Sequence, residues 1–216
     1  MWSYAMAPAR LGSTQKRGEE TRKLIVTMAR RLFSELGYHR TGIGDIQSAT
    51  GLTKGAFYHH FPTKEDVALA VLDAAECDYA ECVFAPVMDE PDPEARIRRL
   101  FERLVSLNST AEWSNCQMIL TLAAELTEAD ERLRARILDM QTQWFAYWKG
   151  LLAEAPKANQ LRDGVDVDVW TQWILNTLAG TLVAKKLGST QVPPADVVQT
   201  LEHSLFKPKR QETDED

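Results

Sequence analysis

The 216-residue sequence predicts an all-α protein of about nine helices, and two observations carry that reading. Apolar residues recur at helical rather than alternating spacing in almost every segment. Gly, Pro and cap-forming residues fall between those segments. Charge is also divided along the chain. Residues 1–64 hold 10 Lys/Arg against 4 Asp/Glu, a net of +6, while residues 65–216 hold 15 against 27, a net of −12. A basic head on an acidic body is expected when only the head meets a polyanion. Solvated helix faces produce such splits too, so charge alone does not decide.

The first helix is read over residues 21–37, TRKLIVTMARRLFSELG, with Leu24, Ile25, Met28, Ala29, Leu32, Phe33 and Leu36 at helical spacing and Gly37 as its stop. IGDIQSAT follows and ends at Gly51. Thr53 caps the short KGAFYHHF, which Pro62 terminates. Thr63 with Asp66 is a capping-box signature for KEDVALAVLDAAECDYAECVF. Pro86, Pro91 and Pro93 break that pattern, and another helix runs from about Glu94 to Leu107. CQMILTLAAEL reads as a buried helix. EADERLRARILDMQTQWFAYWKGLLAEA carries a stripe at Leu133, Ile137, Met140, Trp144, Trp148 and Leu151. VDVDVWTQWILNTLAGTLVAKKLG and, after Pro193-Pro194, ADVVQTLEHSLF complete the set. Residues 1–17 and the acidic tail 207–216 are polar ends expected to be flexible.

Several classes fall away. No apolar run is long enough for a membrane span, and the N-terminus lacks the apolar stretch of a signal peptide. Three cysteines, Cys77, Cys82 and Cys116, without a CxxC pair fit the reducing cytoplasm. No nucleophile elbow, phosphate loop, HExxH or dinucleotide fingerprint is present, so no enzyme and no cofactor is expected. His59 and His60 point about 100° apart on a helix and have no further ligands at suitable spacing, so no metal site is expected.

The three front segments have the layout of a helix-turn-helix at about residues 42–61, whose second short helix enters the major groove. Ala56, Phe57 and Phe61 can face inward, which leaves Lys54, Gly55, Tyr58 and His59 outside. Gly55 lets the backbone lie close to DNA.

TGIGDIQSATGLTKGAFYHHFPTKEDVALAV, with the LF..LGY that precedes it, resembles the DNA-binding domain of the TetR/AcrR family of bacterial transcriptional repressors. The resemblance covers residues 18–78 and implies a homodimer on a palindromic DNA operator. It also implies backbone contacts from Thr41, Tyr58 and Lys64, with Thr53, Lys54 and His59 near base edges or phosphates. Arg40, Arg22 and Lys23 are further phosphate partners by charge. Gly42 stands where the family has Ser or Thr, and Gln47 replaces a small apolar residue.

For residues 79–206 the resemblance implies an effector-binding and dimerisation domain. Trp144/Trp148 and Trp170/Trp173 each share a helix face. With Met140 and Cys116 they are the candidates for a pocket that takes an apolar, aromatic or cationic small molecule, and ordinary core packing is the competing reading. Ala179, Gly180 and Ala184, with Val197 and Leu201 of the last helix, are the dimer-interface candidates. Cys116, near a helix N-terminus, is a candidate electrophile or redox sensor, against the commoner buried thiol. An effector-independent architectural DNA-binding protein is the remaining alternative, although such proteins are usually small and basic throughout.

Overall fold

The computed structural model describes residues 13–107, 113–155, 160–189 and 191–208. Among them nine α-helices follow one another: α1 Ser13–Leu36, α2 Ile43–Thr50, α3 Lys54–His60, α4 Lys64–Tyr79, α5 Pro93–Leu107, α6 Trp113–Glu125, α7 Glu131–Glu154, α8 Val167–Lys186 and α9 Pro194–Leu205. The described residues form no strand, only an antiparallel bridge between Leu161 and Phe206. No helix among them is long and apolar enough to cross a membrane. The chain divides into two compact units, Met1–Val71 and Leu72–Asp216, so the division falls inside α4 rather than at residue 78.

In the first unit Ile25, Ala29, Phe33, Ile46, Phe57, Phe61 and Val67 form the buried core. Helix α1 starts at Ser13, well before Thr21, so residues 13–17 are helical and not part of a flexible arm. Those early turns are polar and show no apolar period, yet Gln, Lys, Arg and Glu are good helix formers. Residues 1–12 and 209–216 lie outside the described residues.

In the second unit one buried cluster joins Ile97, Leu100 and Phe101 of α5, Trp148 and Leu152 of α7, Ile174 of α8 and Leu201 and Leu205 of α9. Regular α-helix ends at Tyr79, where the sequence suggested continuation to Phe84. A π turn, Ala80–Phe84, and a 3₁₀ turn, Ala85–Val87, follow. Pro86 is the cause: it has no N–H for the carbonyl of Cys82 four residues back, and its ring crowds that carbonyl. Arg103 Nε donates to the Cys82 carbonyl at 2.8 Å in its place. Helix α9 is fastened to α5 by Arg98, which bonds Glu202 at 2.7 Å and lies 4.7 Å over the Phe206 ring.

Candidate nucleic-acid interface

The turn between α2 and α3 is set by local chemistry. Gly51 sits at φ 68°, the left-handed region a glycine tolerates best, and its N–H donates to the Gln47 carbonyl at 3.0 Å. Thr53 is the N-cap of α3, and its hydroxyl oxygen accepts the Ala56 N–H at 3.3 Å. At the start of α2 the backbone N–H of Gly42 donates to the Asp45 carboxylate at 2.7 Å, so Asp45 supplies part of the cap that Gly42 lacks.

Helix α3 divides cleanly. Phe57 is fully buried and Phe61, just beyond the helix, nearly so, while Lys54, Gly55, Tyr58 and His59 are exposed. The exposed four are spaced i, i+1, i+4 and i+5, which puts them on one face. Lys54 Nζ lies 5.9 Å from the Tyr58 ring centre, and the His59 and His60 rings stand edge to face at 5.2 Å. Behind this face Arg22 lies 4.9 Å over the Phe61 ring. Arg40 and Lys23 are exposed. Lys64 opens α4, and a helix N-terminus favours an anion. Its ammonium donates to the Tyr38 carbonyl at 3.1 Å and lies 4.3 Å over that ring, which aims the side chain.

Thr41 corrects the expectation. It is fully buried, and its hydroxyl donates to the Gly37 carbonyl at 2.7 Å, so it fastens the α1–α2 connection and is shut off from a phosphate. Gln47 is half-buried in α2 rather than a surface contact.

A Cβ at Gly55 would meet nothing within 4 Å, and its φ is not positive, so nothing inside the unit requires glycine there. Gly55→Ala is therefore expected to raise stability by up to about 1 kcal/mol. The same change is expected to weaken DNA binding in a gel-shift assay if the exposed face with Lys54, Tyr58 and His59 is the one that docks, because the added methyl stands on it.

His60 is half-buried, and burial, then the charges of His59 and Arg22, hold its imidazole below the ordinary value of 6.5. With the folded value lowered, the unfolded chain binds the proton better. Stability present above about pH 6.5 is then lost as pH falls through that value. Urea unfolding at about pH 7.5 and pH 5.5 is expected to show this loss, and His60→Gln to reduce it.

Of the residues expected to line a pocket, Trp148 belongs to the buried cluster of the larger unit, and Trp144 and Trp170 pack against it. Met140 and Trp148 are fully buried, Trp144 and Trp170 are half-buried, and Trp173 is 46% exposed. Trp170, packed against that cluster, meets the Trp173 ring edge to face at 4.9 Å. Cys116 stands in the first turns of α6, which begins at Trp113, and its side chain lies outside the described residues.

Of the interface candidates, Leu201 is buried in the protomer's own core, Ala179, Ala184 and Val197 are half-buried, and Gly180 is exposed. A more regular pattern went unread in the sequence. Val169, Trp173, Asn176, Gly180, Val183 and Leu187 are all exposed and recur along α8 and its C-cap at alternating spacings of four and three. Val169 is 64% exposed and Leu187 74%. That period is the one two packed helices share.

Residues 25–71 match the model for bacterial regulatory proteins of the tetR family. Residues 93–201 match the tetracyclin repressor-like C-terminal domain. The chain is 30% identical over 164 residues to the probable HTH-type transcriptional regulator ArpR of Pseudomonas putida, spanning 72% of this chain and 75% of that protein. It is 23% identical over 172 residues to the HTH-type transcriptional repressor DhaR of Mycobacterium sp. strain GP1, spanning 80% and 85%. The crystal structure of a TetR transcriptional regulator from Chloroflexus aurantiacus superposes with a TM-score of 0.79 at 26% identity, covering 89% of this chain and 100% of that one.

Proposed function

Since the chain belongs to the TetR family of bacterial regulatory proteins, we propose that it is a homodimeric repressor that leaves a palindromic DNA operator when a small molecule binds its larger unit. The observation that carries the DNA-binding part is the α3 face: Lys54, Gly55, Tyr58 and His59 point outward together, backed by a fully buried Phe57. Helix α3 supplies base-edge and phosphate contacts, while Arg40, Lys64 and the exposed α1 cations Arg22 and Lys23 supply phosphate contacts that set register.

The α8 seam supports the dimer. An exposed helical Gly180 costs stability relative to alanine, and a Cβ there would meet nothing within 4 Å among the described residues. A close-packed second helix gives that glycine a reason. On this reading Trp173 is a contact between copies rather than part of a pocket. Two copies related by a twofold axis read two half-sites, which is why the operator is palindromic.

The test is selection of bound fragments from the source genome by the full-length protein, with sedimentation to measure its mass in solution. One shared short palindrome bound by a dimer supports the proposal. Many unrelated fragments with no motif would replace it with effector-independent architectural binding.

A further inference from the structure

Two buried hydrogen-bond donors stand out in the larger unit. The indole N–H groups of Trp144 and Trp148 are closed off from solvent and meet no hydrogen-bond partner among the described residues. Buried polar atoms are nearly always paired, and an orphaned donor is costly. The two residues are four apart on α7, so their side chains lie one turn apart on the same side of that helix.

The rings themselves are well occupied. Trp148 stacks on Phe101 with centroids 5.6 Å apart, and Trp144 meets Tyr79 at 5.0 Å. Phe84 and Tyr147 lie 3.9 Å apart, and the Tyr147 hydroxyl donates to Met88 Sδ at 3.3 Å. Aromatic faces left open would suit a cation. Here the faces are spent on one another, and what stays unfilled is a pair of donors, which repel positive charge. One oxygen of Glu76 is also buried without a partner, but Arg136 already neutralises that carboxylate. It offers an acceptor to a ligand rather than a countercharge. The neighbouring π turn and Met88, 56% exposed, are where regular helix packing is already broken.

We infer that the effector is a flat apolar molecule whose carbonyl or carboxylate oxygens accept the indole N–H groups of Trp144 and Trp148, and that it is not a cation. This rests on the effector reading proposed above. A trapped water would also satisfy the two donors, so the experiment separates water from ligand.

Calorimetric titration of the full-length protein compares N-methylphthalimide, flat with two carbonyl acceptors, with 2-methylindane, the same skeleton without them, and with the N-methylquinolinium cation. The dicarbonyl probe is expected to bind at least about fivefold more tightly than either of the others, the scale of one net hydrogen bond. Trp144→Phe and Trp148→Phe keep a ring and remove the N–H. The ratio of the two neutral probes within each variant is expected to fall towards one, whatever the change in packing does to both. A variant that fails to fold leaves the other to decide. Equal binding of the neutral probes, tighter binding of the cation, no binding at all, or an unchanged ratio in the folded variants each overturns the inference. Acceptor-selective binding that leaves operator affinity untouched would uphold the ligand class and sink the effector reading instead.

Discussion

Lys54→Ala is expected to weaken operator binding by about thirtyfold, or about 2 kcal/mol per dimer, since each of two copies loses a contact of about 1 kcal/mol. Lys54 is exposed, on the outward face of α3, with its ammonium 5.9 Å from the Tyr58 ring. Removing it takes no packing from the core, so circular dichroism and urea unfolding should stay close to wild type. If its ammonium meets phosphate, the slope of log K against log salt should fall by about 0.9 per copy, about 1.8 per dimer. Tyr58→Phe provides the control. It loses a neutral hydroxyl, so affinity should drop with no change of slope. Unchanged operator affinity in Lys54→Ala at physiological salt would mean that α3 is not docked through this face.

The second large effect lies away from DNA. Arg136 of α7 donates Nε to Asp73 at 2.9 Å, and its other nitrogens bond Glu76 and reach Asp139 at 3.4 Å. Glu76 is only 4% exposed. Arg136→Ala leaves that carboxylate buried without a countercharge, which costs about 3–5 kcal/mol. The cost is the desolvated charge rather than the worth of the pair, so a double replacement should behave differently. Arg136→Met with Glu76→Met is expected to recover most of the loss, because two apolar side chains of similar volume replace two charges. Chemical denaturation of the three proteins measures this. A double variant no more stable than Arg136→Ala would show that the loss comes from packing, not from an orphaned charge. The exposed Arg31–Glu35 pair on α1, at 3.9 Å with both side chains more than half exposed, should contribute almost nothing by comparison.

Signals in the sequence marked the small unit closely because its chemistry is local. The Gly51 turn, the Thr53 cap, the stop at Pro62 and the Thr63–Asp66 pair each act within a few residues, and each is found where its chemistry puts it. Thr41 escaped because its hydroxyl bonds the carbonyl of Gly37, which spacing does not reveal. In the larger unit, spacing shows which residues share a face but not what the face meets. Trp144/Trp148 and Trp170/Trp173 look alike in sequence. One pair packs against the core through α7, and the other ends with Trp173 in solvent. The α8 seam was hidden for the same reason. Small residues drew attention to Ala179, Gly180 and Ala184, but the outward stripe emerges only once Ile174 and Leu182 define the inward side.

Asn176 sits within that outward stripe among Val169, Trp173, Val183 and Leu187. Its side-chain oxygen accepts the Gln172 amide N–H at 2.9 Å, so in the proposed dimer the stripe carries a polar pair that costs affinity but penalises a partner offering it only hydrocarbon. Where a genome encodes several chains of one family, such a residue keeps their subunit pools apart. Mixed pairs would join unlike half-site readers and answer two chemical signals at once. In the proposed dimer Asn176 would therefore favour pairing of like subunits, and its replacement by leucine is expected to show as mixed dimers with related chains rather than as a loss of folding.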